Sequence, residues 1–366
     1  MKRNDKEKQT EQIAKVIEIC SARCKTLARE KQVDRAESSM NKAAVKQLRQ
    51  QLKLTPKKVF EVVVFSTMSS GKSTFINALI GSELLPARNE ACTSRTIAIW
   101  DNDKVQKPVL HIERGLGNRQ KIRNCTQESV AAATSENTDA ITDIVIETNI
   151  LGIRNIKKSL LIVDTPGVNN CFDLEHTVIT KEYLQAHNPD LLIYVVNAAQ
   201  IGTNDAVKSL AYLKTVCEQN PQTQILFVMN KADVLDDELQ PIEDTIAYCR
   251  MSLIECGFQT ERILLVSSDA ALLFKKVMQE QTLDRSEQRR FQMYYDYFAP
   301  SSTNLASYGN YRYPLTKSTV QASDGKTYRW ANLVAALENS GLPEIERTIE
   351  NCLLNLDKKR EVTKNG

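Results

Sequence analysis

Val59-Phe60-Glu61-Val62-Val63-Val64-Phe65-Ser66-Thr67-Met68-Ser69-Ser70-Gly71-Lys72-Ser73-Thr74-Phe75-Ile76-Asn77-Ala78-Leu79 joins a β-branched run, a small polar turn and a helical stretch. Val59 to Phe65 reads as a buried strand and Ser73 to Leu79 as a helix. Ser66 to Ser73 between them has the spacing of a phosphate-binding loop, in the strand-before, helix-after setting that such a loop needs. Backbone N–H groups of the loop and of the helix N-terminus then face an anion. Gly71 lets the chain approach the phosphates, and Lys72 brings charge to the β and γ oxygens. The Ser73 hydroxyl is placed for a magnesium ion bridging the same two phosphates. Met68, Ser69, Ser70 and Thr74 complete the expected cradle. Ser66 stands where the motif usually starts with glycine. A residue with a Cβ loses roughly 1 to 2 kcal/mol in the left-handed region, so the sequence predicts either a different turn or weaker nucleotide binding.

Outward from this loop the same alternation repeats. Leu160–Val163, Leu191–Val196, Ile225–Met229 and Ile263–Val266 are short Val, Ile and Leu runs that each end in a polar turn. Helical stretches such as Asp205–Glu218 and Ile242–Cys256 separate some of them. Runs apolar on both faces suit a mostly parallel sheet covered by helices. The expected fold is α/β, a phosphate-loop domain with a doubly wound, mostly parallel sheet.

The polar turns carry the remaining chemistry. Asp164-Thr165-Pro166-Gly167 follows the Leu160 strand, where an aspartate lies near the magnesium and the Gly167 amide can meet the γ-phosphate. Thr93 is the candidate switch threonine, ligating magnesium when γ-phosphate is present. The expected metal ligands are therefore Ser73, Thr93 and Asp164. Asn230-Lys231-Ala232-Asp233 comes straight after the Ile225 strand. Guanine offers an N1–H and an exocyclic amine to one carboxylate, so Asp233 is the base-selecting residue. Asn230 is expected on the far side of the purine and Lys231 along it. Ser267 and Ser268 follow the last strand, where a backbone amide can meet the guanine oxygen.

The 366 residues are 42% apolar, and 48 basic against 45 acidic side chains leave a net charge of +3. That balance excludes a polybasic nucleic-acid or membrane machine. No apolar stretch approaches the roughly 20 residues of a spanning helix. The charged start, Met1 to Thr10, lacks a secretory core, so a cytoplasmic protein is expected. Nine scattered cysteines read as reduced thiols, with Cys20 and Cys24 able to share a helix face.

The flanks differ from the central domain. Ile13, Val16, Ile17, Cys20, Cys24 and Leu27, then Met40, Ala44, Val45, Leu48 and Leu52, form helical stripes that must pack on another helix. From about Asp284 to Trp330 tyrosines replace aliphatics, and the stretch looks like an insertion, with Ser323-Asp324-Gly325-Lys326 as a tight hairpin turn. A stacking platform for single-stranded nucleic acid is one use for such tyrosines. Interleaved acids and the lack of an RNA-binding motif favour a lid or partner surface instead. Pro343 opens a last helix whose Ile345, Ile349, Cys352, Leu353 and Leu356 form a stripe, expected beside the amino-terminal helices. The expected division is an N-terminal helical segment 1–55, a nucleotide domain 56–283, the tyrosine-rich insertion 284–332 and a C-terminal helix 333–366.

On the residues Thr67 to Gly81, Leu84-Leu85-Pro86 and Asn89-Glu90-Ala91-Cys92-Thr93, the chain resembles the dynamin superfamily of large GTPases, most closely its bacterial dynamin-like members. Ser340-Gly341-Leu342-Pro343 and the long interval from Thr93 to Asp164 look similar too. The resemblance spans about Val59 to Ser268, more loosely both helical flanks. It implies GTP hydrolysis to GDP and phosphate with Mg2+ and a monovalent cation, paired GTPase domains in a homodimer, and a neck built as a small helical bundle from both flanks. It also implies a membrane surface, peripheral at the inner membrane, or a second dynamin-like subunit as partner. The family's stalk and lipid-binding tip would follow the neck-like helix. Here the chain stops, so either it is a fragment or the membrane lever is absent. Met68 aligns where many eukaryotic dynamins carry a water-positioning glutamine. Slow turnover is expected, with Ser69, Lys72, Thr93 and Gly167 as the catalytic set and Ser69, the Thr93 backbone and a dimer contact placing water. Arg88 and Arg95 read either as an arginine finger or as solvated loop residues. The alternative to an enzyme is a GTP-gated scaffold with little hydrolysis.

Overall fold

The computed structural model describes residues 59–67, 69–86, 96–114, 118–135, 141–154, 158–165, 184, 188–200, 203–235, 242–258, 262–299, 303–306, 313 and 316–362. In chain order the elements are β1 (Val59–Ser66), α1 (Lys72–Ile80), β2 (Ile97–Asp101), β3 (Val109–Arg114), β4 (Asn118–Arg123), α2 (Gln127–Ser135), β5 (Ile141–Thr148) and β6 (Ser159–Asp164). There follow β7 (Leu191–Asn197), α3 (Asn204–Gln219), β8 (Gln224–Asn230), α4 (Ile242–Glu255), β9 (Ile263–Val266), α5 (Ser268–Met278) and α6 (Arg285–Phe298). A hairpin of β10 (Thr319–Gln321) and β11 (Thr327–Arg329) leads into α7 (Trp330–Asn339) and α8 (Leu342–Val362).

Among the described residues nine strands form one sheet in the order β4-β3-β5-β2-β6-β1-β7-β8-β9. The half from β6 to β9 is parallel throughout. Its strands β1, β6 and β7 are buried along nearly their whole length, as strands covered on both faces must be. The expected mostly parallel α/β sheet is therefore present. The other half is mixed: β2 runs antiparallel to β6 and parallel to β5, and β3 is antiparallel to both β4 and β5. None of the strands in this half is among those expected from the sequence. β4 reads Asn-Arg-Gln-Lys-Ile-Arg, and exposed charges such as Lys121 and Arg123 suit a sheet edge that must not recruit another strand.

α5 is buried on all sides except at Asp269. Its two lysines are tolerated there because each meets a carboxylate: Lys275 pairs with Glu346 and Lys276 with Glu287. α6 packs an aromatic stripe on it, with Phe291 and Phe298 at 5.9 and 6.3 Å from Phe274, ring centre to ring centre. Tyr328 of the hairpin closes on Phe291 at 5.2 Å and on Tyr295 at 4.9 Å. Tyr295 and Tyr328 of the 284–332 stretch are thus packing groups between a helix and a hairpin. The Asp-Gly turn forms as expected: the Ala322 N–H donates to Lys326 O at 2.9 Å, and Gly325 takes a φ of +83°.

α8 starts after Gly341, and its Ile345, Ile349 and Leu353 are buried against α7, β9 and α1. The expected packing beside the amino-terminal helices lies outside the described residues, as do those helices. Among the described residues no helix is long and apolar enough to cross a membrane. Cys125, Cys217, Cys249, Cys256 and Cys352 are free thiols, and burial pushes Cys125 and Cys249 up to about 11.

Candidate functional site

The phosphate loop sits at the C-terminal end of β1, where central parallel strands deliver their loops to one edge. Ser66 ends β1 in regular register with Val195 of β7. It is not among the positive-φ residues; that conformation falls on Ser69 (φ 58°) and Gly71 (φ 80°). The strain expected at Ser66 is absent, because the chain leaves the strand later than the usual glycine would. A Cβ on Gly71 would stand 2.5 Å from Asn230 Nδ2, so two separate constraints require glycine there.

α1 begins with Gly71 as its N-cap, no side chain caps it, and its first turn holds no acid. Among the described residues its leading N–H groups are thus met by no side-chain cap and by no acid of its own first turn. The Lys72 ammonium instead pairs with Asp164, and both are buried, at 8% and 3% exposure. This joins the phosphate loop and the turn after β6 in one buried contact. Among the described residues the buried Ser70 hydroxyl has no hydrogen-bond partner. Thr165 donates its hydroxyl to Val64 O at 3.0 Å and so ties the turn after β6 to β1.

The base side lies at the ends of β8 and β9. Asn230 Nδ2 donates to Ser70 O at 2.8 Å, and its Oδ1 accepts from the Ser268 N–H at 3.2 Å. The amide is a brace between the phosphate loop and the turn into α5. Lys231, in the left-handed region at φ 60°, donates from Nζ to Ser69 O at 3.0 Å and lies along the loop. Asp233 occupies a single 3-10 turn, Ala232–Val234. Burial pushes its carboxyl above the ordinary aspartate value, while the Ser267 hydroxyl and Lys231 oppose the rise. Ser267 and Ser268 are fully or nearly fully buried beside it.

Ser69, Ser70, Gly71, Lys72, Ser73, Thr74, Asp164, Asn230, Lys231, Asp233, Ser267 and Ser268 thus come to one edge of the sheet. Met68, Thr93 and Gly167, and with them Arg88 and Arg95, lie outside the described residues. Asn77, whose amide holds Leu84 and Leu85, is not among the expected site residues, because a polar residue inside a helix gives no sign of its partner. Asp269, Arg290 and Tyr294 were missed as a group, since they join two helices through space.

Residues 62–232 match the Dynamin family. Over that segment, a little under half of the chain, it is similar to the dynamin superfamily. It is 24% identical over 279 residues to Dynamin-like protein 1 of Campylobacter jejuni, covering 64% of this chain and 36% of that protein. It is 26% identical over 194 residues to the bacterial dynamin-like protein of Nostoc punctiforme, covering 51% of this chain and 27% of that one. The aligned part spans about a third or less of either dynamin relative. A solved structure described as an oligomerised bacterial dynamin pair, providing a mechanism for long-range sensing and tethering of membranes, aligns with 98% of this chain and 50% of its own, at 18% identity and a TM-score of 0.45.

Proposed function

We propose that this dynamin-like chain binds GTP with Mg2+ and hydrolyses it to GDP and phosphate. The observation that carries the reading is the buried Lys72–Asp164 pair beneath an uncapped helix N-terminus. A lysine there has no structural need for a buried carboxylate, since isolating two charges from water costs several kcal/mol per ion. It fits a group that exchanges its carboxylate for phosphate oxygens when nucleotide enters. That exchange would free Asp164 as a hard oxygen donor, and with the Ser73 hydroxyl in the first turn of α1 it would make a donor set suited to magnesium. When bound, the ion would neutralise charge on the β and γ phosphates.

The chain's own groups do the rest. Backbone N–H groups from Ser69 to Thr74 orient the phosphates, and Asp233 accepts two hydrogen bonds from guanine. Asn230 keeps the two halves of the site in register. With Met68 unable to orient water well, turnover is slow, and a second GTPase domain facing the first assists it. Thr93 and Gly167 respond to the γ-phosphate. In the cell the reading places the protein in the cytoplasm and peripherally at the inner membrane, working with a second copy or another dynamin-like subunit.

Phosphate release from GTP and from ATP, measured over a range of protein concentrations in potassium or sodium buffer, tests this. Release specific for GTP, rising per molecule with concentration and lost in Lys72→Ala, is expected. GTP binding without release would leave a nucleotide-gated scaffold, and equal use of ATP would defeat the guanine assignment.

A further inference from the structure

The turn between α7 and α8, Ser340-Gly341, lies against the strand end that serves the base side of the site. β9 is the last strand of the sheet, and among the described residues it pairs with β8 alone, as far as Val266. Ser267 comes next and has no strand to receive its N–H. It donates instead to Ser340 O at 3.0 Å. Gly341 follows in the left-handed region at φ 84°, and a Cβ there would run into the carbonyl oxygen of Leu265 in β9. Backbone is laid on backbone where the strand ends, a close approach that calls for glycine.

The turn is itself well anchored. Ser340 and Leu342 are fully buried, the Ser340 hydroxyl donates to Leu337 O at 2.6 Å, and Asn339 Nδ2 donates to Phe298 O at the end of α6 at 2.7 Å. What it holds is the N-terminus of α5, for which Ser267 is the N-cap without a side-chain cap. The Ser268 N–H donates to Asn230 Oδ1 at 3.2 Å, and Asn230 Nδ2 donates to Ser70 O at 2.8 Å. Asp269 follows, its carboxylate taken by Arg290 and the Tyr294 hydroxyl of α6. Three hydrogen bonds in series thus run from the α7–α8 turn through the start of α5 to the phosphate loop. The first two use up the N–H groups of Ser267 and Ser268. The next N–H groups of the first turn have no acceptor inside the helix.

We propose that Ser340 and Gly341 are positioning residues for guanine recognition: their turn sets where the N-terminus of α5 stands, and with it the N–H groups that meet the guanine oxygen. The sheet does not fix that place, since β9 is an edge strand whose pairing stops at Val266. The Ser340-Gly341-Leu342-Pro343 stretch then contributes to base choice without touching the nucleotide. The inference rests on the guanine-binding reading above and names the segment that shapes its base side.

The test is equilibrium binding, to the full chain, of GDP and of its thioguanine analogue, in which sulfur, a larger and weaker acceptor, replaces the base oxygen alone. The ratio of the two dissociation constants reads the contact to that oxygen. A general loosening of the fold, or a loss of phosphate contacts, weakens both nucleotides together and leaves the ratio as it was. The unaltered chain should prefer GDP. Gly341→Ala should weaken GDP by up to about tenfold, the worth of one hydrogen bond, and change the analogue little, so that the preference shrinks towards one. Leu342→Ala, which empties the support under the same turn, should act in the same direction and decides the matter if Gly341→Ala does not fold. Amide hydrogen exchange in the unaltered chain needs no variant: the Ser267 N–H should be protected before any nucleotide is added, because Ser340 already holds it. Equal binding of both nucleotides by the unaltered chain, a preference kept in full by the folded variants, or free exchange at Ser267 until GDP is added overturns the proposal. If the unaltered chain binds no GDP at all, it is the guanine reading that fails; if it prefers GDP and the variants do too, only the role of the turn does.

Discussion

Ser69 holds a φ of 58° one residue before Ser70 and two before Gly71, and its carbonyl accepts from Lys231. A side chain with a Cβ in that region costs roughly 1 to 2 kcal/mol, whereas glycine would release the strain but add freedom to the unfolded chain worth roughly 0.4 to 1 kcal/mol. Ser69→Gly should therefore be stabilising by a few tenths to about 1 kcal/mol in denaturant titration, and Ser69→Ala should gain nothing. A lower midpoint for Ser69→Gly than for Ser69→Ala would mean that the backbone is not strained there. The place of the loop was readable because Gly71-Lys72-Ser73 stands between an apolar run and a helical stretch, and both elements are present as β1 and α1. The location of the strain was not, since Ser66 and Ser69 are the same residue type and only the backbone path separates them. Asn230 gives the same lesson from the other side: its type and position marked a nucleotide residue, but its side chain spends its bonds bracing two loops of the protein.

The five parallel strands at the heart of the sheet were legible because burial on both faces forces continuous apolar runs. β3 and β4 at the far edge escaped, as their polar residues match no such run, and α6 escaped because its stripe is aromatic rather than aliphatic. The path of the chain beyond α1 was equally hidden, and Asn77 explains its shape. The side chain is fully buried; Nδ2 donates to Leu85 O at 2.8 Å, and Oδ1 accepts from the N–H groups of Leu84 and Leu85 at 3.1 and 2.8 Å. One side chain thus turns the chain away from the helix end towards the candidate switch segment. Leu84 N–H also donates to Ser82 O and Leu85 O also accepts from Gln127 Nε2, so Asn77→Ala would strand chiefly the Leu85 N–H, and a loss of about 1 to 3 kcal/mol is expected in thermal or urea unfolding. Asn77→Asp keeps the acceptor and should fall between. An alanine variant as stable as the parent would show that water or a backbone shift satisfies Leu84 and Leu85 instead.

Across the molecule, the phosphate-loop helix is joined to the chain's last described helix through one buried cation. Lys275 of α5 donates to Leu79 O, near the C-terminus of α1, at 3.0 Å and pairs with Glu346 of α8. The other oxygen of Glu346 accepts from the Tyr313 hydroxyl at 2.9 Å. A cation is favourable at the negative end of a helix dipole, and here it meets a carboxylate from a segment 71 residues further along. Burial and the Glu346 charge hold the Tyr313 phenol well above its ordinary value, so that residue stays a donor at any physiological pH. Removing one member leaves the other charge buried and unpaired, at a cost of about 3 to 5 kcal/mol, whereas removing both is close to neutral. Lys275→Met should therefore unfold far below the unaltered chain, Glu346→Gln should do so by a comparable margin, and the double variant should recover most of the loss. The cycle is measured by urea unfolding at neutral pH, where the two single effects must exceed the double effect by more than about 0.5 kcal/mol to count as coupling. Additive losses would mean that Leu79, Lys275 and Glu346 are held by their own elements, and that α1 and α8 meet without a shared charge to join them.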